Sequence, residues 1–294
     1  VARRVAVVVN PSTRGVAATL ITALEAACPP DTVLEIYRTT SRGQAVVLAR
    51  LAAMSADIVV AAGGDGTVAE VATGIAGTAS LLGIIPMGST NITAQELGIP
   101  SRLADAATLL FGPHDVRRID AGRCGDRRFL HMAGAGLDSL FFERTSRALK
   151  RRIGWLAYLP AATLALRQPA ARFSVDVDGQ SITVTSSLVV VANGGSIIAP
   201  VIRLHPDVRA DDGWLDVLIF TATNPEAIAR TVLRFLTGSL ARSPYLVHRR
   251  GREVSLWSEP ELPVQLDGDV VTRTPVTFTV EPLGIRVIAP LTPR

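Results

Sequence analysis

The chain has 294 residues, a formal net charge of +4 and a hydrophobic fraction of 48%, of which aromatics supply only 5%. That length accommodates two domains of roughly 150 residues each, and the charge is too small to argue for nucleic acid. Lys150 is its single lysine and lies in Ala-Leu-Lys-Arg-Arg, which excludes both a Walker A loop and the strand lysine of a protein kinase.

The arginine excess reads either as compositional bias or as an affinity for anionic surfaces and phosphates. Cys28 and Cys124 show no pairing motif or metal-ligand spacing. They fit a reducing compartment and read as small buried hydrophobes. Val-Ala-Arg-Arg before residues 5–9 has the outline of a signal peptide. The apolar run stops at Asn10-Pro11, short of the roughly 7–15 residues such a segment needs, so it reads as a first buried strand. No uncharged stretch reaches the roughly 18–20 residues of a membrane span.

In chain order, residues 5–9, 33–37, 58–61 and 81–85 read as buried strands, with helices at 17–27, 44–53, 68–75 and 93–97. This rhythm predicts a doubly wound parallel sheet, in which ligands bind at the carboxyl ends of the strands. After about Asp120 the texture changes. Strands are expected at 129–133, 172–177, 182–192, 215–220, 254–257, 264–266, 276–280 and 285–289. Asp178-Gly179 and Asp267-Gly268 read as hairpin turns, and helical insertions fall at 138–167 and 225–237. The fold class is therefore α/β plus β, a parallel sheet followed by a mostly antiparallel β-sandwich. The expected domains are 1–122 and 123–282, with 283–294 packing back on the first.

Three of the strand-end loops carry chemistry. Gly63-Gly64-Asp65-Gly66-Thr67 follows the third strand and opens the helix containing Glu70. Its glycines permit close backbone approach to a polyphosphate, and the helix start offers N–H groups to anionic oxygens. A tight turn with Asp65 as a helix cap is the plainer reading of that segment alone. Asn10-Pro11-Ser12-Thr13-Arg14 follows the first strand and Pro86-Met87-Gly88-Ser89-Thr90-Asn91 the fourth. Both are rich in small hydroxyl and amide side chains suited to phosphate or adenine edges.

In order and spacing these three loops resemble the catalytic domain of the diacylglycerol kinase and sphingosine kinase superfamily, bacterial lipid kinases in particular. The resemblance continues through Asp120-Ala121-Gly122, Gly134-Ala135-Gly136-Leu137-Asp138, the segment from Lys150 to Tyr158, Asp211-Asp212-Gly213-Trp214 and Gln265-Leu266-Asp267-Gly268-Asp269. It implies ATP and Mg2+ as cofactors and a nucleotide site between the domains. ATP contacts would come from Asn10, Pro11, Ser12, Thr13, Arg14, Thr39, Gly64, Asp65, Gly66, Thr67, Val68, Ala69, Glu70 and Ser89. A structural magnesium would be held by the Asp212 carboxylate with the carbonyls of Arg209 and Trp214. The general base falls on Asp269, one methylene shorter than the family's Glu, with Asp267 and Asp65 as competitors. The chain also departs from the family at Ser89, where threonine is usual, and at Ile92, where a second Asp is usual.

The lipid side rests on the basic and then aromatic stretch 150–166, suited to an anionic membrane surface or to a plain core helix. Arg249, Arg250 and Arg252 read as a solvated strand edge. The expectation is a cytoplasmic, peripherally membrane-associated lipid kinase acting on a diacylglycerol-like or sphingoid hydroxyl, with a homodimer left open. An NAD kinase-like enzyme with a soluble substrate and a catalytically weak nucleotide- or lipid-binding module are the alternatives.

Overall fold

A computed structural model of the chain describes residues 2–10, 16–136, 170–198 and 202–291. Two compact units divide it, Val1–Ile119 with Leu283–Arg294, and Asp120–Pro282.

The first unit runs β1 (Arg3–Val9), α1 (Val16–Ala27), β2 (Thr32–Arg38), α2 (Gln44–Ala52), β3 (Ile58–Gly63), α3 (Asp65–Ile75), β4 (Leu81–Pro86), α4 (Ile92–Glu96) and α5 (Leu103–Phe111). The strands are ordered β2-β1-β3-β4 and every pairing is parallel. Parallel sheets covered on both faces read as continuous apolar runs, and residues 5–9 and 58–62 are buried throughout. Val5, Val7 and Val9 pack with Leu20 and Leu24 of α1 and with Ala106, Ala107 and Leu110 of α5. Helices α2 and α3 pack so closely that a Cβ on Gly74 would lie 2.5 Å from the Val46 carbonyl oxygen. From β1 the chain crosses to β2 on one side and then returns to β3 on the other. The gap between β1 and β3 is thus the topological switch point of the sheet, the usual place for a ligand in such folds.

Strand β5 (Asp115–Cys124), which begins in the first unit, leads in the second to β6 (Arg127–Phe129), β7 (Met132–Gly136), β8 (Ala171–Val177), β9 (Gln180–Ser186), β10 (Leu188–Ala192), β11 (Ser196–Ile198), β12 (Ile202–Arg203), β13 (Leu215–Phe220), α6 (Pro225–Leu236), β14 (Leu246–Gly251), β15 (Glu253–Glu259), β16 (Pro263–Leu266), β17 (Asp269–Arg273) and β18 (Val276–Ala289), of which the part from Leu283 belongs to the first unit. One layer is the antiparallel sheet β14-β13-β10-β7-β16-β17, and the other joins the start of β18 to β15, β8 and β9. Phe173, Val175, Leu256 and Phe278 from one layer meet Ala133, Val189, Val217 and Val264 from the other in a single core. Gly122 lies under Phe129, whose ring would sit 2.0 Å from an added Cβ. Phe129 in turn meets Phe278 edge to face at 5.9 Å.

The strand readings need four corrections. Residues 129–133 are broken at Leu130 and His131, whose amides turn to the Asp267 carboxylate. Residues 182–192 are two strands, because the Ser186 hydroxyl accepts from the Leu188 amide and donates to the Phe220 carbonyl, turning the chain there. Residues 276–280 and 285–289 form one strand, β18, continuous through Pro282. Helix α5 and strands β5, β11, β12 and β17 lie where no element was expected, and the strand edge read at Arg249 and Arg250 belongs to the longer strand β14. Both cysteines are free and only half-buried rather than buried. Partial burial raises the thiol pKa of each above its ordinary value, with Asp31 adding to the effect at Cys28. The helical insertion at 138–167, with its basic and aromatic stretch, lies outside the described residues.

Candidate active site

The loops after β1, β3 and β4 leave the same edge of the parallel sheet, since all three strands point the same way. At the switch point the Asn10 side-chain amide donates to the Thr67 hydroxyl at 3.4 Å, and the Asn10 backbone N–H donates to the Ala62 carbonyl. The first and third strand ends are thereby joined. Pro11, Ser12, Thr13 and Arg14 lie outside the described residues.

Gly63 and Gly64 serve packing as well as any ligand. A Cβ on Gly63 would meet the Thr67 hydroxyl at 2.5 Å, and a Cβ on Gly88 would meet the Gly64 Cα at 2.6 Å. The Gly-Gly-Asp-Gly turn and the Pro-Met-Gly-Ser-Thr-Asn loop therefore touch backbone to backbone. Asn91 stiffens the second of these, accepting from the Gly88 N–H at 2.8 Å and donating to the Gly88 carbonyl at 2.9 Å. Its own backbone is left-handed, φ 49°, a conformation asparagine tolerates.

Asp65 opens α3 and fastens the two loops together. Its carboxylate accepts from the Thr90 hydroxyl at 2.9 Å and from the Thr93 N–H at 3.1 Å. Ile92, in the place of the family's second acid, is the first residue of α4 and leaves this contact intact. The α3 cap residue, Gly64, has no side chain to turn back on the helix amides, and the Thr67 and Val68 amides bond to the Gly64 carbonyl. Further along α3, Glu70 accepts from the Gly43 N–H at 3.1 Å. Gly43 is left-handed at φ 76° and caps α2, so Glu70 fixes the loop after β2. In that loop Thr39 is buried, with its amide and hydroxyl both on the Val9 carbonyl. Val68 and Ala69 are buried within α3, whereas Ser89 is exposed.

The carboxylates of the second unit are placed differently. Asp267, left-handed at φ 45° in the β16–β17 turn, accepts from three backbone amides: Leu130 at 2.8 Å, His131 at 3.0 Å and Met132 at 2.9 Å. Asp269 begins β17 opposite Leu266 and is partly exposed.

The Asp212 carboxylate accepts from the Trp214 N–H at 3.2 Å and is ion-paired with the Arg250 guanidinium. Arg250 also reaches the buried Asp216 at 3.2 Å, and it lies with Arg252 over the Trp214 ring. A divalent ion binds oxygens whose charge is unspent. With a guanidinium on Asp212 this donor set does not fit the structural magnesium expected at Arg209, Asp212 and Trp214. The turn has another brace, since buried Asp120 accepts from the Gly213 N–H at 2.7 Å.

Sequence reasoning missed the contacts of Gly43, Gly88, Thr90 and Thr93. The αL signature of Gly43 and the Asx pattern of Gly88 to Asn91 were the available signals.

The diacylglycerol kinase catalytic domain family matches residues 4–124, and the YegS C-terminal NAD kinase beta sandwich-like domain family matches residues 131–289. A diacylglycerol kinase of Staphylococcus haemolyticus (strain JCSC1435) is 28% identical over 259 residues, covering 86% of this chain and 78% of that protein. An uncharacterized protein of Synechocystis sp. is 28% identical over 239 residues, 79% of this chain, and the match spans about half (55%) of that relative's length. A Bacillus anthracis str. Sterne crystal structure, provisionally assigned as a diacylglycerol kinase, superposes with TM-score 0.81 at 26% identity, covering 98% of this chain and 97% of that one. With both halves matched in order, from residue 4 to residue 289, the chain belongs to the diacylglycerol kinase/YegS-type lipid kinase family.

Proposed function

We propose that the chain transfers the γ-phosphate of ATP to the hydroxyl of a diacylglycerol-like or sphingoid lipid presented at a membrane surface. The observation that carries this reading is the meeting of the Asn10, Gly63–Thr67 and Gly88–Asn91 segments at the switch point of the parallel sheet. Backbone N–H groups of residues 64–66 bind the phosphates, aided by the positive end of α3; the Thr67 N–H is held by the Gly64 carbonyl. No lysine is needed, and none is present there. Asp65 acts as a positioning residue that holds the two loops in register, and Glu70 does the same for the loop after β2.

The lipid hydroxyl attacks the γ-phosphorus in line, the bond to the β-phosphate oxygen breaks, and the hydroxyl proton passes to a carboxylate. Of the two candidates in the β16–β17 turn we assign that proton to Asp269, because Asp267 is committed to three amides. Magnesium arriving with ATP supplies charge neutralisation of the triphosphate. Among the described residues no helix is long and apolar enough to cross a membrane, and the substrate is met from outside the bilayer.

A second reading draws on the description of the 131–289 match as NAD kinase beta sandwich-like: the acceptor is then NAD. Incubation with labelled ATP, Mg2+ and vesicles of diacylglycerol, ceramide, sphingosine or phosphatidylglycerol, beside an NAD arm, tests both. Label in a lipid supports the proposal, and label in NAD alone replaces it. Tight ATP binding with no transfer to any acceptor reduces the chain to a binding module.

A further inference from the structure

One cluster in the second unit lies outside the residues assigned above to phosphoryl transfer. His205, Asp207 and His248 each offer a ligand atom, and these atoms lie within 4.8 Å of one another. The segment carrying the first two is anchored on both sides: Leu204 and Val208 are buried in a core cluster with Val190, Ala192 and Leu218. Arg203 closes the loop by donating to the Val208 carbonyl at 2.7 Å. His248 comes from β14, opposite Leu218 of β13. Its ring lies 4.0 Å from that of His205, centroid to centroid.

The spacing suits a shared ion better than direct bonds. The His205 Nδ1 to Asp207 carboxylate distance is 3.6 Å, longer than a hydrogen bond. Two ligands about 2.0–2.1 Å from a tetrahedral zinc ion stand roughly 3.4 Å apart. The same nitrogen accepts a long 3.3 Å contact from the Asp207 N–H, a weak bond that its one lone pair gives up to take the ion. His248 Nε2 lies 2.6 Å from Asp216 Oδ1, and Asp216 is fully buried with its second oxygen lacking a hydrogen-bond partner. A histidine whose other nitrogen is held by a buried carboxylate is the arrangement that orients metal-binding imidazoles and fixes their tautomer.

We propose that His205, Asp207 and His248 bind a first-row divalent cation of the zinc or nickel class, with Asp216 as a positioning residue for His248. Two imidazoles and one carboxylate favour such an ion over magnesium, which prefers all-oxygen surroundings. The bound ion fastens the 203–208 loop to edge strand β14.

The test uses the whole chain, stripped with chelator and titrated with ZnCl2 by calorimetry. One equivalent binds saturably, and millimolar Mg2+ does not displace it. Asp207→Asn, at an exposed position where folding is not at risk, weakens zinc at least tenfold, as does His205→Gln. Asp216→Asn weakens it about 10- to 100-fold and shifts the visible absorption of the Co2+-loaded protein, which a merely structural role would not. Absence of a saturable site, zinc affinity unchanged by both Asp207→Asn and His205→Gln, or free exchange with Mg2+ each overturns the proposal. None of these readouts depends on lipid phosphorylation.

Discussion

Asp65 and Asp267 stand in similar sequence, each an Asp-Gly pair within two residues of the end of a buried strand, yet their carboxylates face different work. Asp65 takes one hydroxyl and one amide and ties two loops at the rim of the parallel sheet. Asp267 takes three amides from a single strand connection. The first bonding pattern aligns loops around a space where a ligand can sit; the second replaces backbone pairing that the β6–β7 break gives up. An Asp-Gly motif therefore names a turn. The bonds its carboxylate makes decide whether that turn is scaffold or site.

Removing each carboxylate is the direct way to break the contrast. Asp267→Ala has the largest expected effect, because it strips the acceptor from three amides at once. At about 1–3 kcal/mol for each buried group left unpaired, the loss is several kcal/mol out of a total of about 5–15. Urea unfolding is the measurement. A midpoint within error of the parent would show that Asp267 is not the scaffold residue described here.

Gly88→Ala comes next. Its Cβ would lie 2.6 Å from the Gly64 Cα and 2.8 Å from the Asn91 side-chain oxygen, and backbone atoms yield little. Overpacking of this kind costs about 1–3 kcal/mol. The two loops are pushed apart, so the KM for ATP is expected to rise at least tenfold, a change read by steady-state kinetics. Asp65→Asn follows. It keeps an acceptor for the Thr93 amide, and the Thr90 hydroxyl can rotate to accept, so stability falls by only about 1 kcal/mol. Reversing the Thr90 bond weakens the tie between the two loops, so ATP turnover is nevertheless expected to be lost. Full lipid-dependent turnover by this variant would detach the Gly-Gly-Asp-Gly turn from catalysis.

The parallel half was the more legible in sequence for a physical reason. Its strands are buried on both faces, so each is an unbroken apolar run, and β1, β3 and β4 begin and end within two residues of their expected bounds. Strand-end loops of a parallel sheet must share an edge, which brought Asn10, Gly64 and Ser89 together before any coordinates. Helix α5 escaped because Ala104 to Phe111 is apolar almost all round and lacks a cap signature. In the sandwich, β14 was legible only as a strand edge at Arg249 and Arg250, because its polar run from His248 to Arg250, as an edge strand carries, hides the alternation that marks a strand. The partner of Asp212, Arg250, lies 38 residues away, and no local motif announces a guanidinium delivered across a sheet. The same long-range pairing explains why Asp267 could be ranked as a base: its three amides lie at residues 130–132, invisible from the turn itself.

Asp269→Asn is the smallest change in stability and the sharpest probe of the pair. The residue is partly exposed at the start of β17 and opposite Leu266, so asparagine fits the same space and unfolding should shift by no more than about 0.5 kcal/mol. An amide cannot take up a proton at neutral pH, so if Asp269 receives the hydroxyl proton, kcat falls about 10²- to 10⁴-fold. The KM for ATP should stay near the parent value, since the phosphate-binding amides are untouched. Asp269→Glu restores the longer carboxylate usual in this family and should hold or raise kcat, whereas a purely structural Asp269 would gain nothing from the added methylene. If Asp269→Asn turns over like the parent while folded Asp267→Asn does not, the two residues exchange roles and bonding to backbone amides ceases to mark a carboxylate as scaffold in this turn.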